Sequence, residues 1–109
     1  MSNFGVVETI FEKSVSADTN TKTINIQKCV SYGFQVDSTN ESSFSTTLTL
    51  EGSLDGVTWA VVPDSSQAHV GNDTTVYDVT RTATPFVRLV MSSVAGSADV
   101  KVKIYAKGN

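Results

Sequence analysis

From Phe44 to Glu51 the chain alternates without a break, with Phe44, Thr46, Leu48 and Leu50 in one set and Ser45, Thr47, Thr49 and Glu51 in the other. A period of two places one set on each face of an extended strand. The pattern returns in residues 30–37, where Val30, Tyr32, Phe34 and Val36 form the apolar set. It returns again in residues 98–107, where Ala98, Val100, Val102, Ile104 and Ala106 oppose Asp99, Lys101, Lys103, Tyr105 and Lys107. No segment holds a 3.6-residue period long enough for a helix. Val and Thr dominate, and both are stiff at χ1 and pack well on a pleated surface. The chain is therefore all-β.

Shorter β-type runs fill the gaps. Residues 6–11, 21–27, 57–62, 75–80 and the mostly apolar 86–91 read as strands, the last as a central one. Residues 14–20, 38–43 and 64–73 are polar and read as connections. About eight short strands with frequent turn signals predict an antiparallel β-sandwich or jelly roll. At 109 residues the chain makes one domain, 1–109, in which residues 1–7 form an N-terminal arm.

A formal net charge of −3 offers no cationic field for nucleic acid or an anionic membrane. No apolar run is long enough to span a bilayer as a helix, and the N-terminus lacks the pattern of a secretory signal. The lone Cys29 excludes an internal disulfide and suits synthesis in a reducing compartment, where it acts as a small buried hydrophobe. The single His69 lies in the stretch Ser66-Gln67-Ala68-His69-Val70 and reads as a loop or surface residue. No nucleophile elbow accompanies it, so no catalytic residue is assigned and the chain is not read as an enzyme. One His and one Cys cannot furnish a structural zinc site, and the aspartates fit no EF-hand, so no metal or cofactor is expected. Lys101, Lys103 and Lys107 share one face of the last strand, where they read as edge protection or solvated charge.

One local motif stands out. Residues 52–59 have the form G-S-x-D-G-x-x-W, and Phe86-Val87-Arg88-Leu89 follows later. Asp55 and Gly56 make a hairpin turn, Trp59 packs beneath it, and Arg88 in its apolar strand needs a carboxylate or carbonyl partner. Trp59 and Tyr77 are either core anchors or an aromatic platform for a sugar. The motif resembles the hairpin of discoidin-type (coagulation factor 5/8 C-type) β-sandwich modules. With the Val87-Arg88-Leu89 strand, the turn at Gly96 and the final alternating strand, it also resembles small virion proteins of tailed bacteriophages.

That second resemblance implies a non-enzymatic structural component of a phage virion, made in the host cytoplasm. Its roles would be capsid decoration, a head–tail part or a fibre-associated subunit. Its partners would be other virion proteins and copies of itself, with neither nucleic acid nor membrane. The contact residues expected are Phe4, Val6 and Val7 in the N-terminal segment and Tyr105 on the outward face of the last strand. The alternative is a carbohydrate-binding discoidin-like module with a glycan partner.

Overall fold

The alternating segments fold into one antiparallel sheet, seen here in a computed structural model. The structure describes residues 7–26, 29–80 and 84–108, and the side chains of these except at 29, 30, 80, 107 and 108. The described residues form eight strands: β1 (Glu8–Val15), β2 (Thr19–Asn20), β3 (Ile24–Asn25), β4 (Cys29–Ser53), β5 (Ala60–Val61), β6 (Gln67–Val70), β7 (Thr74–Thr80) and β8 (Phe86–Gly108). None of the described residues is helical.

The backbone of the fold is the long pair β4 and β8, in register from Cys29↔Gly108 to Ser53↔Phe86. Both strands bend where Ser42 faces Ser97 and Ser45 faces Ala95, and the sheet folds back on itself there. One half of the pair forms a first layer with β7 and β1 on its flanks, since β7 pairs with 31–37 and β1 with 98–104. The other half forms a second layer. There β6 and β5 follow one another along β4, while β2 and β3 follow one another along β8. The result is a two-layer sandwich about 20 Å thick, which fits two sheets packed face to face.

Inward residues of both layers make one core. Phe34, Val36, Val102 and Ile104 come from the first layer, and Leu48, Leu50, Leu89 and Met91 from the second; none is more than 1% exposed. Alternation keeps its phase through β4, whose buried residues from Tyr32 to Gly52 are even-numbered on both sides of the bend. In β8 it shifts from odd (Val87, Leu89, Met91) to even (Ala98, Val100, Val102). Bulges at the bend absorb that shift, and Asn40, Ser43, Ser93 and Gly96 take left-handed φ values there.

Several expectations are corrected. Residues 38–43 are not a loop: β4 continues through them, with Ser38 buried and the polar side chains of 39–43 facing solvent. The two alternating segments on each side are therefore one strand. Residues 64–73 contain β6, whose burial pattern leaves only His69 facing inward, so no period-two signal was visible. The run 57–62 contributes only Ala60 and Val61 to a strand, and among the described residues of 21–27 only Ile24 and Asn25 do so. Lys101 and Lys103 do not protect an edge, because this part of β8 lies between β4 and β1.

Candidate contact surfaces and a buried histidine

The hairpin tip is built by two short side chains. Ser53 Oγ accepts from the Gly56 amide at 2.8 Å and the Asp55 amide at 3.3 Å, and donates to Asp55 Oδ1 at 3.0 Å. The same Asp55 oxygen accepts from the amides of Val57 and Thr58, each at 2.8 Å. These bonds favour the ionised carboxylate. The Thr58 amide, then the Val57 amide, then the Ser53 hydroxyl hold Asp55 below the ordinary 3.8. Gly56 takes φ +76° with its Cα hydrogens against the Phe86 ring, a conformation that favours glycine. The tip thus closes the pairing of Glu51 with Val61 and of Gly52 with Ala60. It leaves Leu54 at 74% and Val57 at 79% exposure, so a fixed turn presents aliphatic side chains to solvent.

Trp59 does not enter the core. It is half-buried, and the Arg88 guanidinium lies over its ring at 4.3 Å. Arg88 has the carboxylate partner its strand required: its Nη2 is 2.7 Å from Glu51 Oε1, and Nε donates to the same oxygen at 2.8 Å. Glu51 and Arg88 face each other across β4 and β8, so strand register sets this pair and the pair sets the indole. Tyr77 is a core residue, its hydroxyl 2.7 Å from the Ser65 carbonyl and 3.1 Å from that of Leu48. Burial pushes it up to about 12. Trp59 and Tyr77 therefore form no sugar platform.

Val7 and Tyr105 border one hollow on the outer face of the first layer, and both are exposed. Phe4 and Val6 lie outside the described residues, as does the side chain of Cys29.

His69, expected on a loop or at the surface, is fully buried at the bend. Its Nε2 is 2.7 Å from Ser38 Oγ and its Nδ1 2.7 Å from Thr75 Oγ1. Counting hydrogens assigns the tautomer. Ser38 has one hydrogen and donates it to the Gly71 carbonyl at 2.6 Å, while its oxygen accepts from the Asp73 amide. His69 therefore donates from Nε2 to Ser38, and Thr75 donates to Nδ1. The ring is neutral and every one of its polar atoms is paired. Desolvation lowers its proton affinity, opposed by the charges of Asp73 and Asp37. A serine beside a histidine suggests a nucleophile, but Ser38 is only 3% exposed and its hydrogen is held by a carbonyl. The cluster fastens the 71–73 turn to β4. Polar spacing in the sequence gave no sign of it, because its three side chains come from separate strands.

Among the described residues no cluster of three or more His, Cys, Asp or Glu is placed to hold a metal ion. Tyr32 carries the one buried side-chain polar atom among them without a hydrogen-bond partner, and burial pushes that hydroxyl up to about 12.

No family model matches the chain, and no curated protein matches it in sequence. Its fold is similar to that of the PBSX exported protein XepA, with TM-score 0.75 and 10% identity over 96% of this chain. The chain spans 38% of the length of XepA. It is also similar to the SPBc2 prophage-derived protein YomS, with TM-score 0.55, 12% identity and 94% and 92% of the two chains covered. PirA aligns with TM-score 0.50 and 16% identity, over 88% of this chain and 91% of the other. At these identities the likeness is one of fold, shared with proteins of which one, YomS, is prophage-derived by name.

Proposed function

We propose that this chain is a non-enzymatic structural component of a phage particle, acting through repeated protein–protein contacts, as a capsid decoration, head–tail or fibre-associated subunit. The observation that carries this reading is the hairpin tip. Leu54 and Val57 are among the most exposed large apolar side chains described, and the Ser53–Asp55 bonds hold the loop that presents them. Exposed aliphatic groups on a pre-ordered loop lose little conformational entropy on docking, which suits an assembly contact. Val61, 56% exposed on β5, extends the surface. Val7 with the N-terminal Phe4 and Val6 is the second proposed contact element. The prophage derivation in the name of the structural neighbour YomS supports the particle setting. The same origin supports a virion location, with other particle proteins and copies of this chain as partners.

Native mass spectrometry of the full chain across a range of micromolar concentrations tests the self-association part of this reading. A discrete oligomer, or growth with concentration, is expected for the wild type. Leu54→Asp with Val57→Asp should return it to a monomer, since both side chains point to solvent and the fold does not need them. A wild type that stays monomeric throughout, or a double variant that assembles unchanged, overturns the role of the tip in self-association.

A further inference from the structure

We propose that the hollow over Gly33, on the outer face of the first layer, binds a neutral pyranose sugar between the Tyr105 ring and the Asp78 carboxylate. This goes beyond the particle role above and makes no use of the hairpin tip.

Register creates the hollow. Gly33 faces Asp78 on one neighbouring strand and Tyr105 on the other, and directly opposed residues project to the same side of a sheet. The middle residue of this row has no side chain, so the two outer ones stand apart across roughly 9–10 Å of sheet, two strand spacings. The next row along is Val76, Gln35 and Lys103. Together they bound an open hollow of about 560 Å³. Asp78 leans over the glycine: its Oδ1 lies 3.4 Å from where a Cβ at residue 33 would stand, so a side chain there would fill the floor.

The chemistry of the walls selects the ligand. Tyr105, 41% exposed, offers a ring face, and Val76, 55% exposed, offers apolar surface. Asp78 accepts hydrogen bonds, the Lys103 ammonium donates them, and Gln35 keeps its carbonyl oxygen while its amide donates to Asp37 at 3.0 Å. One carboxylate and one ammonium cancel, which disfavours a phosphate or a cation and fits an uncharged molecule. A pyranose has an apolar C–H face for the tyrosine and a rim of hydroxyls for the polar groups. A macromolecular partner would need far more surface than one hollow supplies.

The test is NMR on the isotope-labelled full chain, following the backbone amides of Gly33, Gln35, Asp78 and Tyr105. The probes are glucose, galactose and N-acetylglucosamine oligomers, each raised to about 10 mM, a range that detects millimolar affinity. Saturable shifts at these amides are expected with at least one of the sugars. Tyr105→Ala, an exposed site whose loss leaves the rest of the spectrum in place, should weaken binding about tenfold or more. Asp78→Asn should weaken it less, with the fold retained. No saturable shift at these amides from any of the sugars overturns the proposal, as do shifts of equal size in Tyr105→Ala. Shifts produced by raising protein concentration alone, with none from sugar, would overturn it and give the hollow to a second copy of the chain.

Discussion

The bend of the long hairpin and the tip at residues 53–59 solve one problem in opposite ways. Each must turn a β ribbon and satisfy the backbone groups that the turn releases. At the bend, polar side chains are drawn inward. His69, Ser38 and Thr75 are buried and mutually bonded, and Thr46 Oγ1 donates to the Ser92 carbonyl at 2.8 Å. At the tip, Ser53 is buried, Asp55 bonds the amides of Val57 and Thr58 at the surface, and apolar side chains point out. The bend is built for permanence, because removing a buried partner leaves others unpaired. The tip is built for display, and its bonds from Asp55 to the Val57 and Thr58 amides are exposed and can be exchanged for water.

The sharpest way to break the bend is Gly96→Ala. A Cβ there would stand 2.2 Å from the carbonyl oxygens of both Ser42 and Ser43, and the residue has φ +68°. Neither backbone oxygen can swing aside as a side chain could. A loss of about 4 kcal/mol or more is expected in chemical denaturation, enough to unfold a marginal domain. His69→Ala comes next, at about 2–4 kcal/mol, through the lost ring volume and the unpaired Ser38 and Thr75 hydroxyls.

Acid should separate the two regions without mutation. His69 binds its proton less readily folded than at its ordinary 6.5, so the unfolded chain takes up more protons as pH falls. The stability it contributes is full above pH 6.5 and is lost as pH drops from there through its lowered value. Asp55 titrates below its ordinary 3.8, so the contribution of the tip is full above pH 3.8 and is lost only as pH falls through that lower value. Thermal melts between pH 7 and 5 should lose stability in the wild type and lose less of it in His69→Gln. Asp55→Ala should speed amide exchange at Val57 and Thr58 while leaving the core amides protected, because its bonds are local and exposed.

Tyr32→Phe is the smallest change and carries the opposite sign. It removes a buried hydroxyl that has no partner, so stability should hold or rise by up to about 1 kcal/mol. A clear loss would show that this hydroxyl has a role that the bonding at the bend does not represent.

The two regions also differ in how far they could be read from the sequence. The turn at Asp55 and Gly56 was legible, because a carboxylate bonding the following amides and a glycine at positive φ are local chemistry. The place of Trp59 was not, since it depends on a guanidinium supplied from a distant strand. The long alternating runs gave the all-β class and most of the core. The bend was hidden because residues 38–43 carry a loop composition while their backbone still pairs with β8. His69 was hidden because a four-residue strand with one inward side chain has no periodicity to detect. The hollow over Gly33 was equally invisible, since it exists only when three strands are set side by side.

The continuity of β4 and β8 through both layers has a consequence for how the chain folds. A sandwich made of separable sheets could in principle lose one and keep the other. Here each layer is half of the same ribbon, and Cys29 is paired with Gly108 while Ser53 is paired with Phe86. Closing that ribbon means meeting residues far apart in the chain before much apolar surface is covered, so folding should be slow for a domain of this size. Once closed, no fragment cut between the layers retains a complete set of strand partners. Unfolding should then be a single all-or-none event, in which the domain fails as a whole or not at all.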